Sequence, residues 1–303
     1  MTTQTWNSVV DNTATAGFRA WGAELAAKIQ ATTVMVQTAD TGQINWATVT
    51  LPAGGAYGGY EIYKLNDSLF ATAPVYFKIR YGSNGSNAAN IAITVGTSTN
   101  GAGVLGGTAL SAEHVCVYGG AAPPSAVSTF DSYLCANTGF FGFYWKVTPS
   151  GGTPTGIDAA FYFQRTCDAA TGTPNAQGAH AYWPCGGGYA PAHQAFRYAS
   201  AAAAYTATTT IKFCFVPQAP ASSYDDSGIS QAYVHYTITP TVRPMFGTCS
   251  VQSGEVSQAT AFTATMVGTA ARTYLALRPA TASGAGLADV NSIGGLSIAM
   301  LWE

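Results

Sequence analysis

Charge is what this sequence has least of. Lys, Arg, Asp and Glu make up 9% of its 303 residues, where an ordinary soluble domain carries about 25%. The apolar share is an ordinary 48%, so Gly, Ala, Ser, Thr, Asn and Gln stand where ionic groups would. There is no run of Lys or Arg, and the net charge is −2. That excludes the basic stripe on which phosphate-backbone binding depends, so nucleic acid is not an expected partner. No apolar stretch reaches the roughly 18 residues of a membrane span. The opening MTTQTWNSVVDNT has neither a basic start nor an apolar stretch. It predicts no secretory signal, and a chain made and folded in a cytoplasm.

Chemical motifs are equally scarce. No G-x-S-x-G elbow surrounds any serine, and no G-x-x-x-x-G-K-[ST] phosphate loop occurs. The main carboxylates are Glu61, Asp67, Asp131, Asp158, Asp168 and the pair Asp225–Asp226. The last two sit in SSYDDSGIS, which reads as a surface turn. His114 and Cys116 form an H-x-C pair, and His180, Cys185 and His193 cluster more loosely. Zinc sites favour four ligands at tighter spacing. The expectation is no metal, no cofactor and no enzyme activity.

Six cysteines lie at 116, 135, 167, 185, 214 and 249, with no CxxC pair. Without an export signal, free buried thiols are expected, and a bridge formed after exposure to oxidants is the alternative.

What is present is strand alternation. In PVYFKIRYG, Val75, Phe77, Ile79 and Tyr81 share one face, and Tyr76, Lys78 and Arg80 the other. Ile91, Ile93 and Val95 repeat the pattern beyond the turn signal GSNGSN. Phe141, Phe143, Trp145 and Val147 then oppose Tyr144 and Lys146. Strands are predicted near 33–38, 44–51, 59–66, 74–82, 90–96, 113–118 and 139–148. Beyond these, strands are predicted over Ile157 to Phe163 and near 207–217, 231–239, 255–267, 272–278 and 293–302. Gly and Pro punctuate them at the spacing of a sandwich or jelly roll. The fold class is mainly β, with β-sandwich or jelly-roll-like sheets and one N-terminal amphipathic α-helix. That helix shows in Phe18, Trp21, Leu25 and Ile29, spaced by three and four. Asp11, Thr13 or Thr15 are candidate caps, and Gly17 and Gly22 weaken it.

The expected organisation is an arm and helix over 1–32, a β-rich domain over 33–148, and a second β-rich half over 149–303, either separate from the first or continuous with it. Residues 167–205 show little periodicity and read as a long aromatic loop. It carries Tyr182, Trp183, Tyr189, Phe196 and Tyr198 beside His193 and Arg197. Rings with polar tips are enriched at protein contacts, and stacking on sugar rings is their other use.

One resemblance joins these observations. The order GFRAWGAELAAKIQ, then DTGQINWATV, then GYEIYKLND, then ATAPVYFKIRYG resembles structural proteins of tailed bacteriophages, over roughly residues 5–105. It brings no catalytic residues with it. It implies a virion component of the tail, baseplate, neck or fibre region. Sparse charge agrees, since a neutral exterior suits one covered by neighbouring subunits; a secreted β protein is the other source of such composition. The expected partners are copies of the chain itself, as a trimer or hexamer, and other virion proteins. Phe18, Trp21, Leu25 and Ile29 are the candidate subunit contacts. The segment from Tyr182 to Tyr198 is a further contact or, alternatively, a receptor-binding surface for host glycan.

Overall fold

A computed structural model describes residues 3–83, 89–107, 113–117, 127–149, 158–168, 170–183, 192–198, 205–208, 211–217, 230–236, 241–252, 259–265, 270–279 and 296–303. The chain opens with β1 (Thr3–Asp11) and α1 (Thr15–Gln30). A first group of strands follows: β2 (Met35–Gln37), β3 (Tyr57–Leu65), β4 (Tyr76–Ser83), β5 (Ala89–Gly96), β6 (Ser98–Thr99), β7 (Leu105–Gly106) and β8 (His114–Val117). The second group is β9 (Val127–Asn137), β10 (Phe140–Pro149), β11 (Asp158–Cys167), β12 (Pro174–Trp183), β13 (Ala192–Tyr198) and β14 (Tyr205–Thr208). The third is β15 (Ile211–Pro217), β16 (Ser230–Tyr236), β17 (Thr241–Gln252), β18 (Ala261–Thr265), β19 (Ala271–Pro279) and β20 (Leu296–Leu301).

These groups form three main antiparallel sheets. Their orders are β2-β3-β4-β5-β8, β1-β9-β10-β11-β12-β13-β14 and β15-β16-β17-β20-β19-β18, with β6-β7 a small separate ladder. The seven-stranded sheet is the middle layer. Phe130, Leu134, Phe141, Phe143, Trp145, Phe161 and Phe163 on one face join a core with Phe77, Ile79, Tyr81 and Ile93 of the five-stranded sheet. On the opposite face, Cys135, Phe140, Tyr144 and Tyr162 join a second core with Phe246, Tyr274, Leu275 and Met300 of the six-stranded sheet. Antiparallel sheets commonly keep one face in water. Here strands such as FFGFYWKV are apolar in both phases, so both faces need cover, and a third layer supplies it.

Helix α1 closes the open side of the first sandwich. Phe18, Trp21, Leu25 and Ile29 are at most 4% exposed. The Trp21 ring meets Tyr81 at 6.1 Å and Trp145 at 6.2 Å, edge to face, touching both sheets. These four side chains therefore sit in this chain's own core, out of reach of a neighbouring subunit. The expected caps are also corrected. The N-cap position is Ala14, without a side-chain cap. Asp11 instead accepts from the Thr13 amide and hydroxyl, and Thr15 Oγ1 accepts from the Leu51 amide.

Three further readings change. Residues 44–51 are not a strand. Asn45 Oδ1 takes the Ala47 amide, and Asn45 O takes those of Thr48 and Val49, so the segment curls into turns. Residues 167–205 are not one long loop, because β12, β13 and the first residue of β14 lie there. Their periodicity was masked by small residues, such as the fully buried Ala179 and Ala181 that face the aromatic core. Finally, the polar start of the chain is a full strand, paired over nine positions from Thr3↔Cys135 to Asp11↔Val127. The expected division after residue 148 falls at the end of β10, and the next strand, β11, pairs with β10 in the same sheet.

Candidate functional site

The outward face of the five-stranded sheet carries a stripe of rings and cations. Antiparallel pairing sets Tyr60 opposite Arg80, Ile62 opposite Lys78, and Lys64 opposite Tyr76. A register shift between Tyr57 and Gly59 puts Tyr57 opposite Gly82, on this same face. Only glycine fits at 82: a Cβ would lie 2.5 Å from the Ala56 carbonyl oxygen and 2.8 Å from the Tyr57 ring. The Arg80 guanidinium sits 3.8 Å from the Tyr57 ring centre and pairs with Glu113 at 2.8 Å. The Lys78 ammonium sits 4.3 Å from the Tyr60 ring centre and donates to the Gly103 carbonyl at 2.6 Å. Lys64 lies 5.2 Å from the Phe70 ring, which meets Tyr76 edge-on at 5.4 Å. Burial, and then the Arg80 charge, pull the Lys78 ammonium below its ordinary value. Burial pushes the Tyr76 phenol up.

A polar network holds this stripe from beneath and beside. Asp40 accepts from the hydroxyls of Thr38 and Thr99 and from the Gly103 amide. Burial works to raise its carboxyl, but these hydrogen bonds outweigh it and keep the carboxyl low. Asp40 thereby ties the loop after β2 to the β6–β7 hairpin. Tyr60 Oη donates to the Thr41 carbonyl, and a Cβ at Gly103 would lie 1.8 Å from that phenol oxygen. Gln43 accepts from the Ile62 amide and donates to the carbonyls of Thr38 and Asp40. Gln37 then links Gln43 to Glu61.

Glu61 faces the opposite way, into the first core, and is 2% exposed. It accepts from Tyr81 Oη at 2.5 Å, Tyr63 Oη at 2.8 Å and Trp46 Nε1 at 3.3 Å. Burial raises its carboxyl above the ordinary range, against the pull of those three donors. A carboxylate enclosed in this way cannot meet a substrate. Its chemistry is to hold three rings in place.

The strings behind the phage resemblance meet here. DTGQINWATV supplies Asp40, Gln43 and Trp46; GYEIYKLND supplies Tyr60, Glu61 and Asp67; ATAPVYFKIRYG supplies Ala73, Lys78, Tyr81 and Gly82. Asp67 and Ala73 bind the middle layer through Arg165, whose Nε reaches Asp67 Oδ2 at 2.7 Å and whose Nη2 reaches Asp67 Oδ1 at 3.1 Å and the Ala73 carbonyl at 2.8 Å. Both side chains are fully buried. The sequence had singled out Glu61 and Asp67 only as carboxylates. Glu61 could have been found as a charge in the buried phase of a strand, between Tyr63 and Leu65 on one side and Gly59 on the other.

The ring-rich segment is brought together by backbone pairing. Tyr182 stands opposite His193, Trp183 opposite Ala192, and Gly178 opposite Arg197, with Phe196 and Tyr198 also on β13. Tyr189 lies outside the described residues. Asp168 bonds the amides of Ala170 and Thr171 in a turn. His180 is fully buried, 6.1 Å from the Tyr162 ring. Among the described residues no group of three or more His, Cys, Asp or Glu is placed to hold a metal. Cys135, Cys167 and Cys249 are free and buried, and burial pushes the first two thiols up to about 12 and about 11. Among the described residues, no helix is long and apolar enough to cross a membrane.

What the fold and site define at this point is a class: a three-layer antiparallel β protein with a ring and cation stripe on one outer face. Comparison of the chain with protein-family models, with curated proteins and with solved structures found no match in any of the three.

Proposed function

We propose that the chain is a structural subunit of a tailed-bacteriophage particle, in the tail, baseplate, neck or fibre region. It works through contacts with copies of itself and with other virion proteins. One observation carries the reading. The chain has twelve Lys and Arg and fourteen Asp and Glu in 303 residues, and it spends Glu61, Asp40, Asp67 and Arg165 inside. Of its 26 ionic side chains, 22 at most (26 − 4) are left for the exterior. Soluble monomers ordinarily rely on surface charge to stay apart, so such an exterior suits an assembly. The resemblance over residues 5–105 supports the same reading.

The test is sedimentation of the purified chain over a concentration series, with mass spectrometry of purified particles beside it. Self-association and presence in the particle are expected. A monomer at all concentrations, absent from particles, overturns the proposal. A second reading, recognition of host surface glycan, draws on the β12–β13 pairing that sets Tyr182 opposite His193. Unchanged cell binding by a Trp183→Ala/Tyr189→Ala variant removes it.

A further inference from the structure

The middle and third layers meet where β11 passes β17. There the Gly247 amide donates to Gln164 Oε1 at 2.8 Å. A Cβ at Gly247 would lie 2.5 Å from that oxygen and 2.6 Å from the Phe140 ring, so the β17 backbone runs directly against the amide. This contact fixes which end of the Gln164 amide is oxygen. The other end, Nε2, is buried, with Gln164 only 1% exposed, and it has no protein acceptor among the described residues. A buried donor left unpaired costs the full loss of its hydration.

Gln164 also lines a crevice at the end of this seam, with Phe140, Cys167, Phe246, Gly247 and Arg272. Its cavity volume is about 20 Å³, and it opens partway to solvent. A water molecule needs about 10–15 Å³ and two to four polar partners. The space is too small for an organic ligand. Its wall offers donors, the Gln164 amide and the Arg272 guanidinium, which disfavours a cation. Arg272 is already neutralised by Glu303 at 2.9 Å, which disfavours an anion.

We infer that this crevice is a binding site for one neutral oxygen acceptor, a water molecule, held by Gln164 Nε2. The water completes the hydrogen bonding of the amide and joins the middle layer to the third.

The test is a high-resolution crystal structure of the full chain, wild type and Gln164→Met. The expected result is one oxygen within hydrogen-bonding distance of Nε2, the same in crystals grown with and without formate. A folded Gln164→Met variant should lose that oxygen. Replacement of that oxygen by formate marks an anion site and overturns the inference, as does a protein acceptor on Nε2. The same oxygen retained in the folded variant also overturns it. Should the variant fail to fold, the wild-type crystal decides alone.

Discussion

Glu61 shows how a single side chain is committed. Three donors from three places along the chain close on its carboxylate: Trp46, Tyr63 and Tyr81. Glu61→Ala would leave those donors buried and unpaired, and should destabilise the protein by about 2–4 kcal/mol in urea titration. Glu61→Gln keeps an acceptor and should cost less. The pH dependence has a definite sign. Burial raises the folded carboxyl above its unfolded value, so the folded state holds the proton more tightly. That contribution is fully present below the unfolded value and is lost as pH rises through the folded one. Urea midpoints should therefore fall over that window in the wild type and lose this component in Glu61→Gln. An identical pH profile in the two proteins would refute the assignment. Little of this was legible beforehand. A sequence shows a carboxylate in the buried phase of a strand, but not which distant donors reach it.

At the scale of elements, legibility followed side-chain contrast. Strand β4 was readable because Phe77, Ile79 and Tyr81 alternate with Tyr76, Lys78 and Arg80. Strands β12 and β13 were not, because Ala179 and Ala181 are as buried as phenylalanine but carry no signal. The helix was readable from Phe18, Trp21, Leu25 and Ile29, yet its glycines were misjudged as weaknesses. A Cβ at Gly22 would lie 1.9 Å from the Trp46 ring, and one at Gly17 would lie 1.9 Å from the Asp11 carbonyl oxygen. Gly→Ala in an exposed helix stabilises by about 1 kcal/mol. Gly22→Ala should instead destabilise by about 1–3 kcal/mol through overpacking, with a shift in tryptophan emission as Trp46 moves. The clamp between layers makes a parallel case. Removing either partner of the buried Arg165–Asp67 pair should cost about 3–5 kcal/mol, because the other is left charged in the core. The double variant Arg165→Met/Asp67→Leu should recover much of that loss. Equal loss in single and double variants would mean that the pair holds nothing beyond its own volume.

For the whole molecule, the decisive fact is that one sheet serves two cores. Phe141 and Phe143 face the first, while Phe140 and Tyr144 on the same strand face the second. Neither flanking sheet can leave without stripping a face of the middle one. Calorimetry should therefore show a single transition. Phe77→Ala in the first core and Phe246→Ala in the second should each lower that one transition, by about 3–5 kcal/mol. Two separated peaks would mean that the layers melt independently. The arrangement also leaves the outer faces of the flanking sheets as the surfaces a neighbour can reach, which is where the Tyr57–Arg80 and Tyr60–Lys78 pairs stand. Strand β1 adds a matter of timing. Thr3 is registered against Cys135, so β1, made before its partner, must wait at the ribosome for well over a hundred further residues. At about 5–20 residues per second, that delay lasts several seconds or more. Throughout it, the nascent chain trails a sticky, unmatched ribbon beside a helix whose own seat is still incomplete, which makes that interval the one in which a chaperone would matter most.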